Sequence, residues 1–182
     1  MADAASVIDR ARRELETVVP LPVDCGQVCD GRCCTATVAG TGMWLLPGES
    51  ADIDAESTVT ETPTGQLLVC GGACDRAKRP FACRCFPLFP YVEENGRIRA
   101  VYDPRGYRIC PLINQCKRVA LRRDFVRAVR RAGRILCEDT EIAAFLYAQS
   151  REIDQWNRLT RLDRERPPIA RRQIRIGKDE NR

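Results

Sequence analysis

The residues most able to do chemistry in this sequence are its cysteines: eleven in 182 residues, ten of them between Cys25 and Cys116, with no histidine anywhere. They come in short runs, Cys25-Gly-Gln-Val-Cys29-Asp-Gly-Arg-Cys33-Cys34, then Cys70-Gly-Gly-Ala-Cys74, Cys83-Arg-Cys85, Cys110 and Cys116. Thiols this dense act as metal ligands, disulfides or redox centres, because ordinary cores use single scattered cysteines as small apolar groups. A tetrahedral zinc site takes four ligands with sulfur at about 2.3 Å, and a loop with cysteines two to four residues apart can wrap one ion. Cys25-x3-Cys29, Cys29-x3-Cys33 and Cys70-x3-Cys74 have that reach. The same thiolates suit an iron–sulfur cluster, for which all-cysteine ligation is the rule.

Neighbouring residues refine the expectation. In an extended segment Cys33 and Cys34 face opposite sides, so one would face a metal and the other a second site or the core. Cys83 and Cys85, as an i, i+2 pair on a strand, would share a face, with a core position for Cys85 the competing reading. Arg32, Arg76, Lys78, Arg79 and Arg84 punctuate the cluster and would offset thiolate charge. Arg79 and Arg84 are the preferred supporting cations, and plain solvation is expected for the others. Glu49 and Asp24 are carboxylates that could add hard ligands or anchor an arginine, although a capped turn is the simpler reading of both. Cys137, isolated between two helices, is expected as a buried small apolar residue.

Composition excludes several chemistries. Without histidine no Ser-His or Cys-His pair can form, and no Gly-rich phosphate loop of recognised spacing is present. The first twenty residues carry charges at Asp3, Asp9, Arg10, Arg12, Arg13, Glu14 and Glu16, so they lack the apolar run of a signal peptide or membrane helix. A cytoplasmic location follows as the expectation, where clustered cysteines more often bind metal than pair, and an odd count leaves one thiol over in any intramolecular disulfide scheme.

Positioning these groups requires scaffolding, and 44% apolar residues suffice for one modest core. Val7, Ile8, Ala11, Leu15 and Val18 recur at helical spacing until Pro20 and Pro22. The first cysteine run reads as a glycine-containing loop, Met43 to Leu46 as a strand closed by Pro47-Gly48, residues 50–64 as an exposed connection, and Leu67 to Val69 as a strand pairing with Met43 to Leu46. Leu88 to Glu93 and Arg97 to Tyr102 flank Glu94-Asn95-Gly96, a hairpin signal of the type I′ kind. Leu121, Phe125, Val129, Ala132 and Leu136 predict a helix over 115–136, and Ile142, Phe145, Leu146, Gln149, Ile153 and Trp156 a second one after a break at Cys137 to Asp139. The expected class is α+β. A helix over 1–22 leads into a small metal-centred cysteine domain over 23–116 with short strands and a hairpin, then a helical pair over 117–163 and a flexible basic tail over 164–182.

Four segments together resemble a known family: Asp24-Cys25-Gly26-x-x-Cys29-x-Gly31-x-Cys33-Cys34, Gly42-Met43-Trp44-Leu45-Leu46-Pro47-Gly48-Glu49, Cys70-Gly71-Gly72-x-Cys74-x-Arg76 and Arg79-Pro80-x-x-Cys83-Arg84-x-Phe86-Pro87-Leu88. They are similar to the bacterial zinc- or iron-chelating cysteine-cluster family often called YkgJ-like, over about Asp24 to Leu112. The resemblance implies metal binding at Cys25, Cys29, Cys33, Cys34, Cys70, Cys74, Cys83 and Cys110, with Arg79, Arg84 and Glu49 as supporting groups.

The expected function is therefore a cytosolic metal-binding protein holding zinc or iron, or an iron–sulfur cluster. An iron–sulfur-dependent redox or group-transfer enzyme is the first alternative. A nucleic-acid-binding protein with a structural zinc module is the second, suggested by 18 basic against 10 acidic residues over 117–182. Nucleic acid ranks below a metal ion as partner because the arginines between Lys117 and Arg134 are read as spread over several helix faces without an aromatic stacking platform. No membrane partner is expected.

Overall fold

The computed structural model describes residues 3–35, 42–49, 57–72, 75–114 and 120–160. Cys74, Cys116, the expected start of a helix over 115–119 and the 164–182 tail lie outside the described residues.

The chain opens with helix α1 (Ala4–Glu14), which buries Val7, Ile8 and Ala11 at the spacing the sequence predicts. Two short helices follow, α2 (Cys25–Cys29) and α3 (Arg32–Thr35). Strands β1 (Met43–Trp44), β2 (Thr58–Thr62) and β3 (Gly65–Val69) form an antiparallel sheet in the order β1-β3-β2, with Met43 opposite Leu68 and Thr60 opposite Leu67. Helix α4 (Phe81–Cys85) leads into a hairpin of β4 (Leu88–Val92) and β5 (Ile98–Tyr102), in register Leu88 to Tyr102 and Val92 to Ile98. Helices α5 (Pro111–Asn114), α6 (Arg123–Leu136) and α7 (Thr140–Thr160) complete the described fold. The architecture is α+β, with the hairpin and the C-terminal helix pair where the sequence placed them.

The hairpin is the plate on which the core is built. All five residues of β4 are buried, α6 lies across both hairpin strands and α7 across β4, while α1 packs on α6. Helix α6 comes close because Gly133 faces Pro90 and Ile98. Trp44 ties the small sheet to this core, its ring centroid 6.1 Å from Phe81, 5.3 Å from Phe89 and 5.9 Å from Phe145. Phe81, Phe89 and Phe125 are wholly buried, and sequestering each such side chain stabilises the fold by about 1.5–3 kcal/mol.

Several expectations are corrected. Residues 58–62, expected as connection, form β2: Thr-Val-Thr suits an exposed edge strand as well as a loop, and polarity alone hid it. The hairpin turn is not type I′. Gly96 N donates to Glu93 O at 2.9 Å and only Gly96 in the turn has positive φ, at 77°, while Asn95 Oδ1 accepts from Arg97 N at 3.0 Å. This is the three-residue loop in which one left-handed glycine closes a type I turn. Helix α6 begins at Arg123 within the described residues, not in the Gln115 region, and its five arginines share one face. At 3.6 residues per turn, positions 123, 127, 130, 131 and 134 fall within an arc of about 100°, opposite buried Phe125, Val129, Ala132 and Leu136. Trp156, placed in the apolar stripe of α7, is 41% exposed, and Cys137 is half-buried.

Candidate metal centre

The first cysteine run folds locally instead of looping. Asp24 caps α2 by accepting from Gly26 N at 3.0 Å, so its side chain serves the turn. Asp30 and Gly31 then take left-handed conformations, φ 58° and 61°, and Gly31 N donates to Gly26 O at 3.0 Å. Aspartate and glycine are among the residues that visit this region at low cost. The reversal starts α3, and Cys25, Cys29 and Cys33 end on one cleft.

The fourth wall comes from far along the chain. Between β5 and α5 the backbone turns tightly at Gly106, whose carbonyl accepts from Cys110 N at 2.8 Å and Ile109 N at 3.0 Å. No side chain fits at Gly106, since a Cβ there would stand 2.6 Å from Phe86 Cζ and 2.6 Å from Ile113 Cδ1. Cys110 thereby faces the same cleft as Cys25, Cys29 and Cys33, with Phe86, Ile109 and Leu112 as its apolar wall. The cleft has about 20 Å³ of free volume, room for one water-sized or ion-sized occupant.

A second thiol group adjoins it. Cys33 Sγ and Cys34 Sγ are 3.9 Å apart, and Cys70 lies near enough to Cys34 to bear on its titration. Cys33 borders the cleft and Cys34 does not, but the two sit on a helical turn with their sulfurs in contact, so they are not sent to opposite sides as an extended segment would send them. Cys83 and Cys85 likewise lie on a helix, so i, i+2 directs them to different sides: Cys83 is half-buried, while Cys85 is 1% exposed and donates to Ala82 O at 3.3 Å. Cys85 is a core residue.

At Cys25, Cys34 and Cys110 the surroundings favour the neutral thiol. Burial, followed by the neighbouring Cys29 and Asp24, raises the Cys25 pKa, and the charge of Arg79 opposes this. Cys34 is pushed far up by its hydrogen bond with Cys33 and by burial, again against the influence of Arg79 and of Cys70. Burial lifts Cys110 to about 11. The charge of Arg79 bears on Cys25 and Cys34, and Arg84 ties down the backbone of that segment by donating to Arg79 O at 2.9 Å and Ala77 O at 2.7 Å.

Two other charged groups serve the scaffold. Arg76, expected to be solvated, donates to Leu15 O, Glu16 O and Val18 O at 3.1–3.4 Å, satisfying carbonyls around the end of α1. Glu49 is 7% exposed and its oxygens are occupied: Oε1 accepts from Phe81 N at 2.7 Å, Arg12 Nη2 at 2.9 Å and Arg12 Nε at 3.2 Å, and Oε2 from Leu46 N at 3.1 Å. The carboxylate fixes the start of α4 to α1 and to the Pro47-Gly48 turn.

Sequence reasoning missed Phe86, Ile109 and Leu112 as cleft walls. The closeness of Phe86-Pro87 to Cys83-Arg-Cys85 and of Ile109 to Cys110 was the only signal, and apolar residues there read as ordinary core. Among the described residues no three Cys, Asp or Glu groups are gathered tightly enough to hold a metal ion. In type and number the four cleft thiols nevertheless suit a soft or borderline cation. No helix among the described residues is long and apolar enough to cross a membrane. Set against family models, curated proteins and solved structures, the chain matches none of them.

Proposed function

We propose that this chain is a metal-binding protein of the YkgJ-like type that holds zinc or iron, the latter as an ion or an iron–sulfur cluster, through clustered cysteine thiolates. One observation carries the reading: Cys25, Cys29, Cys33 and Cys110, from stretches up to 85 positions apart, line one ion-sized cleft. Four thiols bordering one space, though not drawn together as tightly as bound ligands, are more than single scattered core cysteines would give. Those four would be the ligands, with Cys34 and Cys70 adjoining, Arg79 offsetting thiolate charge, and Phe86 with Leu112 keeping water from one side.

A metal-dependent redox or group-transfer enzyme is the second reading. It rests on the same four thiols, since all-cysteine ligation is the rule for iron–sulfur centres. Bound iron–sulfur would supply one-electron chemistry.

The test is elemental analysis with an absorbance spectrum on untagged protein purified anaerobically, beside the Cys25→Ser/Cys110→Ser variant. Stoichiometric metal in the parent and its loss in the variant support the proposal. Iron with inorganic sulfide and a brown colour select a cluster, and colourless protein with zinc selects a thiolate zinc centre. Parent protein without stoichiometric metal overturns the proposal.

A further inference from the structure

Helix α6 presents a face that the thiol cleft does not use. Its solvent side consists of Arg123, Arg127, Arg131 and Arg134, all exposed, with Arg130 half-buried between them. Positions 123 to 134 span about 16 Å of helix axis. Arg131 pairs with Glu14 of α1 at 2.6 Å. Among the described residues no ion pair joins Arg123, Arg127, Arg130 or Arg134 to an acid.

Basic amphipathic helices commonly lie on membranes or enter a partner's groove by their apolar side. That route is closed to α6, because Phe125, Val129, Ala132 and Leu136 are wholly buried against α1 and the hairpin. Only the cationic side is available, and it presents guanidinium groups without a single lysine. The whole chain shows the same preference, with 27 arginines and 3 lysines. The planar guanidinium fork donates two parallel hydrogen bonds to a phosphate, where an ammonium acts as a point charge. Duplex nucleic acid carries one negative charge per about 1.7 Å of axis, so a rigid cationic stripe of this length meets several phosphates at once.

We propose that the arginine face of α6 is a docking surface for the phosphodiester backbone of a nucleic-acid duplex, bound without sequence readout. The surface is independent of the metal-binding reading and stands whether or not the cleft holds an ion. It revises the ranking that the sequence suggests, since the arginines share a single face and backbone contact needs no stacking platform.

The test titrates full-length protein into labelled duplex DNA and matched duplex RNA of about 20 base pairs, by fluorescence anisotropy over a salt series. Four to five neutralised phosphates predict a slope of log affinity on log salt near −4 for DNA. Arg127→Ala/Arg134→Ala is expected to reduce the slope by about 2 and affinity about tenfold or more. Arg108→Ala/Arg158→Ala, which removes the same charge from exposed positions elsewhere, is expected to change neither. Melting curves of both variants that match the parent establish that they fold. The DNA and RNA arms show which duplex is preferred. Three results overturn the proposal: no binding at low salt, equal losses in the two variants, or competition by a polyglutamate peptide as effective as by unlabelled duplex, which would mark the face as a site for an acidic protein.

Discussion

Removing the Glu49 carboxylate discriminates a scaffold role from a ligand role. In Glu49→Ala, Leu46 N and Phe81 N lose their acceptor inside the protein, and Arg12, with a side chain only 20% exposed, loses its closest counter-charge. An unsatisfied buried N–H costs about 1–3 kcal/mol, and breaking a buried ion pair from one side about 3–5 kcal/mol. These overlap, and Asp9, 3.9 Å from Arg12 Nη1, takes up part of the stranded charge. A net loss of about 3–5 kcal/mol follows, which for a chain of this size lowers Tm by roughly 6–20 °C. Glu49→Gln keeps an acceptor for Phe81 N but turns an amide N–H toward Leu46 N–H, so about half that loss is expected. Differential scanning calorimetry measures both, and metal content of the folded protein at low temperature is the companion assay. Full metal content with a strongly reduced Tm is the expected outcome. An alanine variant that melts with the parent but loses its metal would refute the reasoning and make Glu49 a ligand.

Gly106→Ala forces a methyl against Phe86 and Ile113; overpacking of about 1–3 kcal/mol falls on the cleft wall, so metal retention should drop more than Tm, read by competition with a chelator. Gly133→Ala would gain about 1 kcal/mol of helix propensity, but a Cβ 2.7 Å from Pro90 Cβ and 2.8 Å from Ile98 Cγ2 outweighs it, and chemical denaturation should show a net loss of about 1–2 kcal/mol. In metal-free protein Cys110 should resist alkylation by iodoacetamide at pH 8 and react progressively as pH rises towards about 11. Its folded pKa lies above the ordinary 9.0, so the unfolded chain releases that proton first and stability falls as pH rises through this window. Cys137→Ser, away from the cleft, should leave metal content unchanged, and a loss there would show that the thiol set is wrongly drawn.

The elements legible in the sequence were those with a strong period or a turn signal: α1, the hairpin, and the cores of α6 and α7. Their apolar residues repeat over several turns, and Asn95-Gly96 breaks the strands where it should even though the turn type differs. The short helices α2 and α3 were illegible, because five- and four-residue segments carry no period and are held by one Asp24 cap and a left-handed Asp30-Gly31 pair. The error on Cys33, Cys34, Cys83 and Cys85 followed directly, since which face a cysteine occupies depends on the backbone type. Glu49 does cap its own turn through Leu46 N and anchor an arginine, as the sequence suggests, but its bond to Phe81 N and the bonds of Arg76 to Leu15 O and Val18 O span 32 to 61 positions, and nothing in the neighbourhood of either residue announces those contacts.

The seating of α1 on α6 has a consequence for the order of events during synthesis. More than a hundred residues separate the two helices, and at about 5–20 residues per second the apolar side of α1 waits roughly 5–20 s for its partner. Cys25 to Cys34 leave the ribosome early in that interval, and Cys110 emerges before α6 does. The thiols therefore meet the surrounding solution while the scaffold that gathers them is still being made. What they first encounter there, cation or oxidant, is decided by the connectivity of the chain as much as by the finished cleft.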